Sequence, residues 1–161
     1  MSPWFKRPEV SSPLAESPVR FVSAATAINA SRRQIWDLIK PPEKAELLAP
    51  GVVCGFRAPA VEGFGEIQVF ISMLGGAEHV FAVEVMEEIP EELAITRYLG
   101  DEDPAARMRY FVYADDDGAT ILDVGRYFTL PAEEAENFAK YEDRYKSGCR
   151  RYVEKVKAFF G

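Results

Sequence analysis

The sequence is poor in the residues from which most catalytic and metal sites are built. Its 161 residues include one histidine, His79, and two cysteines, Cys54 and Cys149. A single imidazole removes His-rich metal sites and leaves any Ser/His or Cys/His scheme depending on one residue. The cysteines stand 95 positions apart, in no CxxC or zinc spacing, so neither a metal nor another cofactor is expected. They read instead as buried free thiols of a reducing cytoplasm. Basic residues are also scarce: 19 Lys and Arg stand against 26 Asp and Glu, a formal net charge of −7. A phosphate-backbone binder carries a basic face, so nucleic acid is not an expected partner, and an anionic membrane surface is disfavoured on the same ground. No stretch approaches the roughly 18 unbroken apolar residues of a membrane span, and the first residues lack a signal-peptide apolar core. Stable membrane insertion is therefore not expected, and a cytoplasmic location is.

What the chain does have is aromatic side chains, 11 Phe, 7 Tyr and 2 Trp, which line ligand cavities as readily as they fill closed cores. The length fits one domain. Residues 1–18 hold Pro3, Pro8, Pro13 and Pro18 with four serines and read as an N-terminal arm, leaving 19–161 as a single domain. Trp4 and Phe5 in that arm are candidates for docking on the body or on a second subunit, so a homodimer is one possible assembly.

Residues 19–28 read as a first strand. Ser31-Arg32-Arg33-Gln34 has the form of a capping box, and the helix it opens places Ile35, Trp36 and Ile39 on one face. Pro41-Pro42 ends that helix, with Pro42 placed to begin a second short one, 42–48. The period then changes from 3.6 to 2, with strands expected at 52–58, 65–73, 78–89, 93–99, 106–114 and 119–129. Links between them are short, so neighbours should pair antiparallel. A last helix is expected from about residue 131 to residue 160. Its stripe is Phe138, Tyr141, Tyr145, Cys149, Tyr152, Val156 and Phe159, and Gly148 lies beside that stripe.

The fold class is thus α+β: a curved, seven-stranded antiparallel sheet around a long C-terminal helix, with two short helices between strands 1 and 2. Three local stretches, residues 28–39 (INASRRQIWDLI), Pro50-Gly51-Val52 and 117–122 (DGATIL), fit the same plan. In this order of elements and in these stretches the chain resembles the helix-grip fold of the START/SRPBCC superfamily. That superfamily includes polyketide cyclases, lipid-transfer proteins and birch-pollen-allergen-like proteins. The resemblance implies a cavity between sheet and long helix, and binding of a hydrophobic, lipid- or polyketide-like molecule.

Candidate site residues follow from alternation. Arg126, between Val124 and Phe128 on the last strand, carries a charge toward an apolar space and must meet an anion, a carbonyl or a carboxylate there. Arg97, between Ile95 and Leu99, shows the same pattern. His79 shares a strand side with Phe81 and Val83. Trp36, Phe56, Phe81, Phe128, Phe138, Tyr141, Tyr145 and Tyr152 are the expected aromatic lining; the alternative is a closed core filled by these same rings. Arg107 and Arg109 are expected on the convex face, and Glu62, Glu66 and Glu84 on solvated surface. For a cyclase- or dehydrase-like activity, without metal or covalent nucleophile, Arg126 would stabilise an enolate and a tyrosine, Tyr145 or Tyr141, would give a proton. The competing function is a non-catalytic accessory protein assembling through the arm and its surface.

Overall fold

The computed structural model describes residues 18–161, so the expected arm, with Trp4 and Phe5, falls almost wholly outside the described residues. Seven strands form one antiparallel sheet: β1 (Arg20–Ile28), β2 (Val52–Arg57), β3 (Ile67–Leu74), β4 (Ala77–Ile89), β5 (Leu93–Tyr98), β6 (Arg107–Ala114) and β7 (Thr120–Phe128). Their spatial order is β1-β7-β6-β5-β4-β3-β2. β1 and β2 follow one another in sequence yet lie at opposite edges, so the segment joining them must cross the sheet. It does so as helix α1 (Arg32–Ile39) and a 3-10 helix (Pro42–Leu47).

α1 begins where the sequence places it. Ser31 Oγ accepts a hydrogen bond from the Gln34 amide (3.2 Å), and Gln34 Oε1 accepts one from the Ser31 amide (2.8 Å). Two amides of the first turn are thereby satisfied, an arrangement that stabilises a helix start by about 1 kcal/mol. The second short helix is 3-10 rather than α, and Gly55 of β2 lets it lie close. A side chain there would put Cβ 2.1 Å from the Pro42 carbonyl oxygen.

The expected single C-terminal helix is two. A four-residue helix α2 (Ala132–Ala135) precedes α3 (Phe138–Phe160). The break is at Asn137, whose φ of −105° and ψ of 26° leave helical geometry. Asparagine tolerates that region because its side chain competes with the helical backbone for hydrogen bonds. α3 packs on β1 and β7.

Three apolar clusters result. The largest joins Ile35, Trp36 and Leu38 of α1 to Ala94, Val112, Leu122 and Val124 of the sheet and Val153 and Val156 of α3. A second closes Val22, Phe128 and Leu130 against Phe138, Tyr141 and Tyr145. A third sets Val52, Phe70 and Val83 under Ala45 and Ala49 of the 3-10 segment, with Phe81 alongside. No described helix is long and apolar enough to cross a membrane.

Candidate ligand-binding site

Between the first and third clusters the packing leaves a cavity of about 300 Å³. That is room for about ten waters, at the small end for ligand sites. Its floor is the concave face of the sheet. One row of register partners crosses it from β7 to β4, Arg126–Met108–Thr96–Val85, and the next runs Val124–Tyr110–Ala94. The roof is Trp36 and Ile39 of α1 with Pro42, Ala45, Leu48 and Ala49, and α3 contributes Tyr152. Small residues at Ala94 and Thr96 leave the space that a Leu or Phe would fill. Tyr98 and Asp101, the exposed members of the lining, mark its mouth.

A strip of rings runs along one wall. Phe70 stacks on Phe81 with centroids 5.2 Å apart, and Phe81 lies 5.3 Å from Tyr98. Across the cavity Tyr110 and Tyr152 meet edge to face at 5.7 Å. Burial pushes both phenols well above their ordinary pKa; Tyr98 and Cys149 add to the shift of Tyr110, and Tyr110 adds to that of Tyr152. Tyr98 is also raised, by burial, although the Arg126 charge opposes the shift. All three are therefore neutral hydroxyls across the physiological range.

The polar groups of the lining divide in two. Lys40, Gln68 and Arg107 are already used. Lys40 Nζ lies 2.9 Å from Glu66 and 2.6 Å from Glu88, and Gln68 Nε2 donates to Glu66 (2.7 Å) and to the Lys40 carbonyl (3.1 Å). Arg107 donates to the carbonyls of Pro104 (3.2 Å) and Ala106 (2.7 Å). Arg126, Thr96, Tyr98, Tyr110 and Tyr152, by contrast, have no hydrogen-bond partner among the described residues. The Arg126 guanidinium lies over the Tyr145 ring, 4.5 Å from its centroid. That stack uses a face of the guanidinium and leaves its N–H edge free.

The residues expected at the site are thus only partly brought together. Trp36, Phe81, Tyr152 and Arg126 line the cavity. Tyr145 does not, but it carries Arg126 from beneath. Phe128, Phe138 and Tyr141 are instead in the closed second cluster, with Phe128 4.3 Å from Tyr145. Phe56 is 46% exposed on the convex face, because a bulge between Val52 and Cys54 shifts the register and reverses the alternation. The same shift exposes Cys54, whereas Cys149 is buried as expected. His79 has the parity of Phe81, but it pairs with Ser72 near the open end of β4 and is exposed beyond the cavity. Arg97 borders the cavity, yet its guanidinium turns to the outer face and binds Glu84 Oε2 through Nε (2.9 Å) and Nη2 (2.6 Å).

Glu66, expected on the surface, is 2% exposed. Burial alone would raise its pKa, but hydrogen bonds from Lys40 and Gln68, the Lys40 charge and the Gly63 amide outweigh it, and the carboxyl sits below its ordinary value. A second bulge, between Val85 and Glu87, brings Glu88 opposite Ala94 and so to Lys40. Arg109 is on the convex face, 3.2 Å from Asp123. Among the described residues no three His, Cys, Asp or Glu side chains gather as a metal site would require.

No family model matches the sequence, and no curated protein does. Solved structures do. The di-domain aromatase/cyclase from the steffimycin biosynthetic pathway superposes with a TM-score of 0.68 at 12% identity, over 88% of this chain and 50% of that one. An aromatase/cyclase from Streptomyces sp. R1128 gives 0.62 at 13% identity, over 88% and 93%. A START superfamily protein from Mycobacterium smegmatis gives 0.57 at 14%, over 86% and 98%. This is the helix-grip fold of START/SRPBCC proteins. The chain spans about half the length of the di-domain aromatase/cyclases it matches. At these identities the likeness is one of fold, and START-like architecture fixes where a cavity lies without fixing its contents.

Proposed function

We propose that this START-like chain binds a small hydrophobic molecule in the cavity beneath α1 and the 3-10 helix, with the molecule's polar end at Arg126. The observation that carries this is the guanidinium of Arg126, which has no hydrogen-bond partner among the described residues. A charge facing a mostly apolar space is costly unless something pairs with it, and its fixed stack on Tyr145 holds it ready. Tyr98, which feels the Arg126 charge, lies toward the same end, and Thr96, Tyr110 and Tyr152 supply further hydroxyls in the lining.

The same groups suit ring closure or dehydration of a polyketone-like substrate. Arg126 would hold the oxygen of an enolate formed by loss of the substrate's α-proton to water. A neutral tyrosine, Tyr98 or Tyr110, would give its proton to the new alkoxide or the departing hydroxide and regain one from water. Binding is tested by thermal denaturation against a panel of small apolar compounds. A ligand at a hundred times its Kd should raise the melting temperature by about 5–10 °C. Arg126→Ala should reduce that shift. No shift with any compound in the panel would contradict the proposal.

A further inference from the structure

From the donors, the volume and the ring strip, and resting on the cavity being a ligand site, we infer that the ligand is a compact apolar monocarboxylate. It would be bound as its anion with the carboxylate on Arg126.

The polar groups left free in the lining are one guanidinium and four hydroxyls, all able to donate. Arg126 contributes a guanidinium edge, and Tyr98, Tyr110, Tyr152 and Thr96 contribute hydroxyls without partners among the described residues. Among the described residues no acceptor of the lining hydrogen-bonds to them, although Gln68 and Asp101 each keep an oxygen without a donor. Asp101 is at the mouth and accepts from the Asp103 amide (2.9 Å), while Glu66 and Glu88 are held by Lys40 and do not line the cavity. A carboxylate offers about four lone-pair sites and fits a guanidinium edge with two parallel hydrogen bonds. A ketone offers one oxygen and an ester one good acceptor, its carbonyl, and either leaves the positive charge uncompensated in the apolar space.

Volume sets the size. Ten waters' worth of space corresponds to about 10–15 non-hydrogen atoms, too few for a diacyl lipid or a sterol. The strip Tyr98–Phe81–Phe70 leads from the charged end into the third cluster, so a flat ring or a short alkyl chain extends along it. Asp101 at the mouth adds a sign that only an anion would feel: its charge opposes entry. Asp101→Asn keeps the oxygen that accepts from Asp103 and removes that repulsion.

The test is calorimetric titration with matched pairs that differ only in the carboxylate: 2-naphthoate against 2-acetonaphthone, and decanoate against 2-undecanone. Each acid should bind about 10- to 100-fold more tightly than its methyl ketone at neutral pH. Arg126→Met should remove the difference, Arg126→Lys should restore part of it, and Asp101→Asn should tighten the acids alone. Unchanged or raised melting temperatures of the ligand-free variants would show that they fold. Ketones binding as tightly as the acids would overturn the carboxylate assignment and leave the cavity as a site for neutral ligands. Failure of both members of both pairs, with wild-type protein folded, would overturn the assignment together with the proposed function.

Discussion

Replacing Arg126 with methionine should make the ligand-free protein more stable while destroying its capacity to hold an anion. Methionine keeps the length of the aliphatic stem and rests its sulfur on the Tyr145 ring. The cation–π stack of Arg126 on that ring, at 4.5 Å, contributes about 0.5–2 kcal/mol, and a sulfur–aromatic pairing in its place returns about 0.3–1.5 kcal/mol. Against that small deficit stands the desolvation of an unpaired charge, several kcal/mol when complete and less here because Arg126 keeps some exposure to the cavity. The balance favours methionine by about 1–2 kcal/mol. For a chain of this size that is a rise of about 2–8 °C in melting temperature. Urea and thermal denaturation of the ligand-free proteins measure it. A destabilisation of more than about 1 kcal/mol would mean that Arg126 serves the fold rather than a ligand, and the electrostatic premise would fail.

Three further predictions concern the walls of the site. Glu66→Gln should cost about 1–3 kcal/mol at neutral pH. Because the folded-state pKa of Glu66 lies below its ordinary value of 4.5, that stabilisation is present above pH 4.5 and fades as pH falls through the folded value, so the wild-type and variant curves should converge in acid. Gly55→Ala should cost about 1–3 kcal/mol and weaken ligand binding, because its Cβ would displace Pro42 and the 3-10 roof; chemical denaturation and titration read the two effects. Gly148→Ala should stabilise α3 by roughly 1 kcal/mol without changing binding, since a Cβ there meets nothing within 4 Å.

The order of elements was legible because each rests on a local signal: a capping box, a proline stop, alternation between short turns. Every strand end agrees with the expected one to within two residues. The site was less legible, and the reason lies in particular strands. On β5 the side bearing Ile95, Arg97 and Leu99 is the more apolar, so it reads as the inner one. The structure puts Ala94, Thr96 and Tyr98 inside. A cavity needs small residues where a closed core needs large ones, so apolarity selects the wrong face beside empty space. Bulges on β2 and β4 each reverse the alternation and so re-aim Phe56 and Glu88, and nothing local in sequence marks them. On α3 the stripe is continuous from Phe138 to Tyr152, but its first half packs onto Phe128 and only Tyr152 reaches the cavity. Where along the helix packing ends is set by the α1 and 3-10 roof, a region distant in sequence. Tyr110 has the inner parity of its strand by alternation with Arg109, and a phenol on that face was the available sign that it belongs to the site.

Where a small apolar acid settles on the protein is the decisive observable. A titration of isotope-labelled protein with 2-naphthoate, followed by amide and indole NMR shifts, locates it residue by residue. The expected perturbations fall on Trp36, Phe81, Ala94, Thr96, Tyr98, Tyr110 and Arg126, and leave Phe56 and Val80 on the outer face unmoved. Perturbations confined to that outer face, or none at all at saturating probe, would overturn the assignment of the cavity as the binding site.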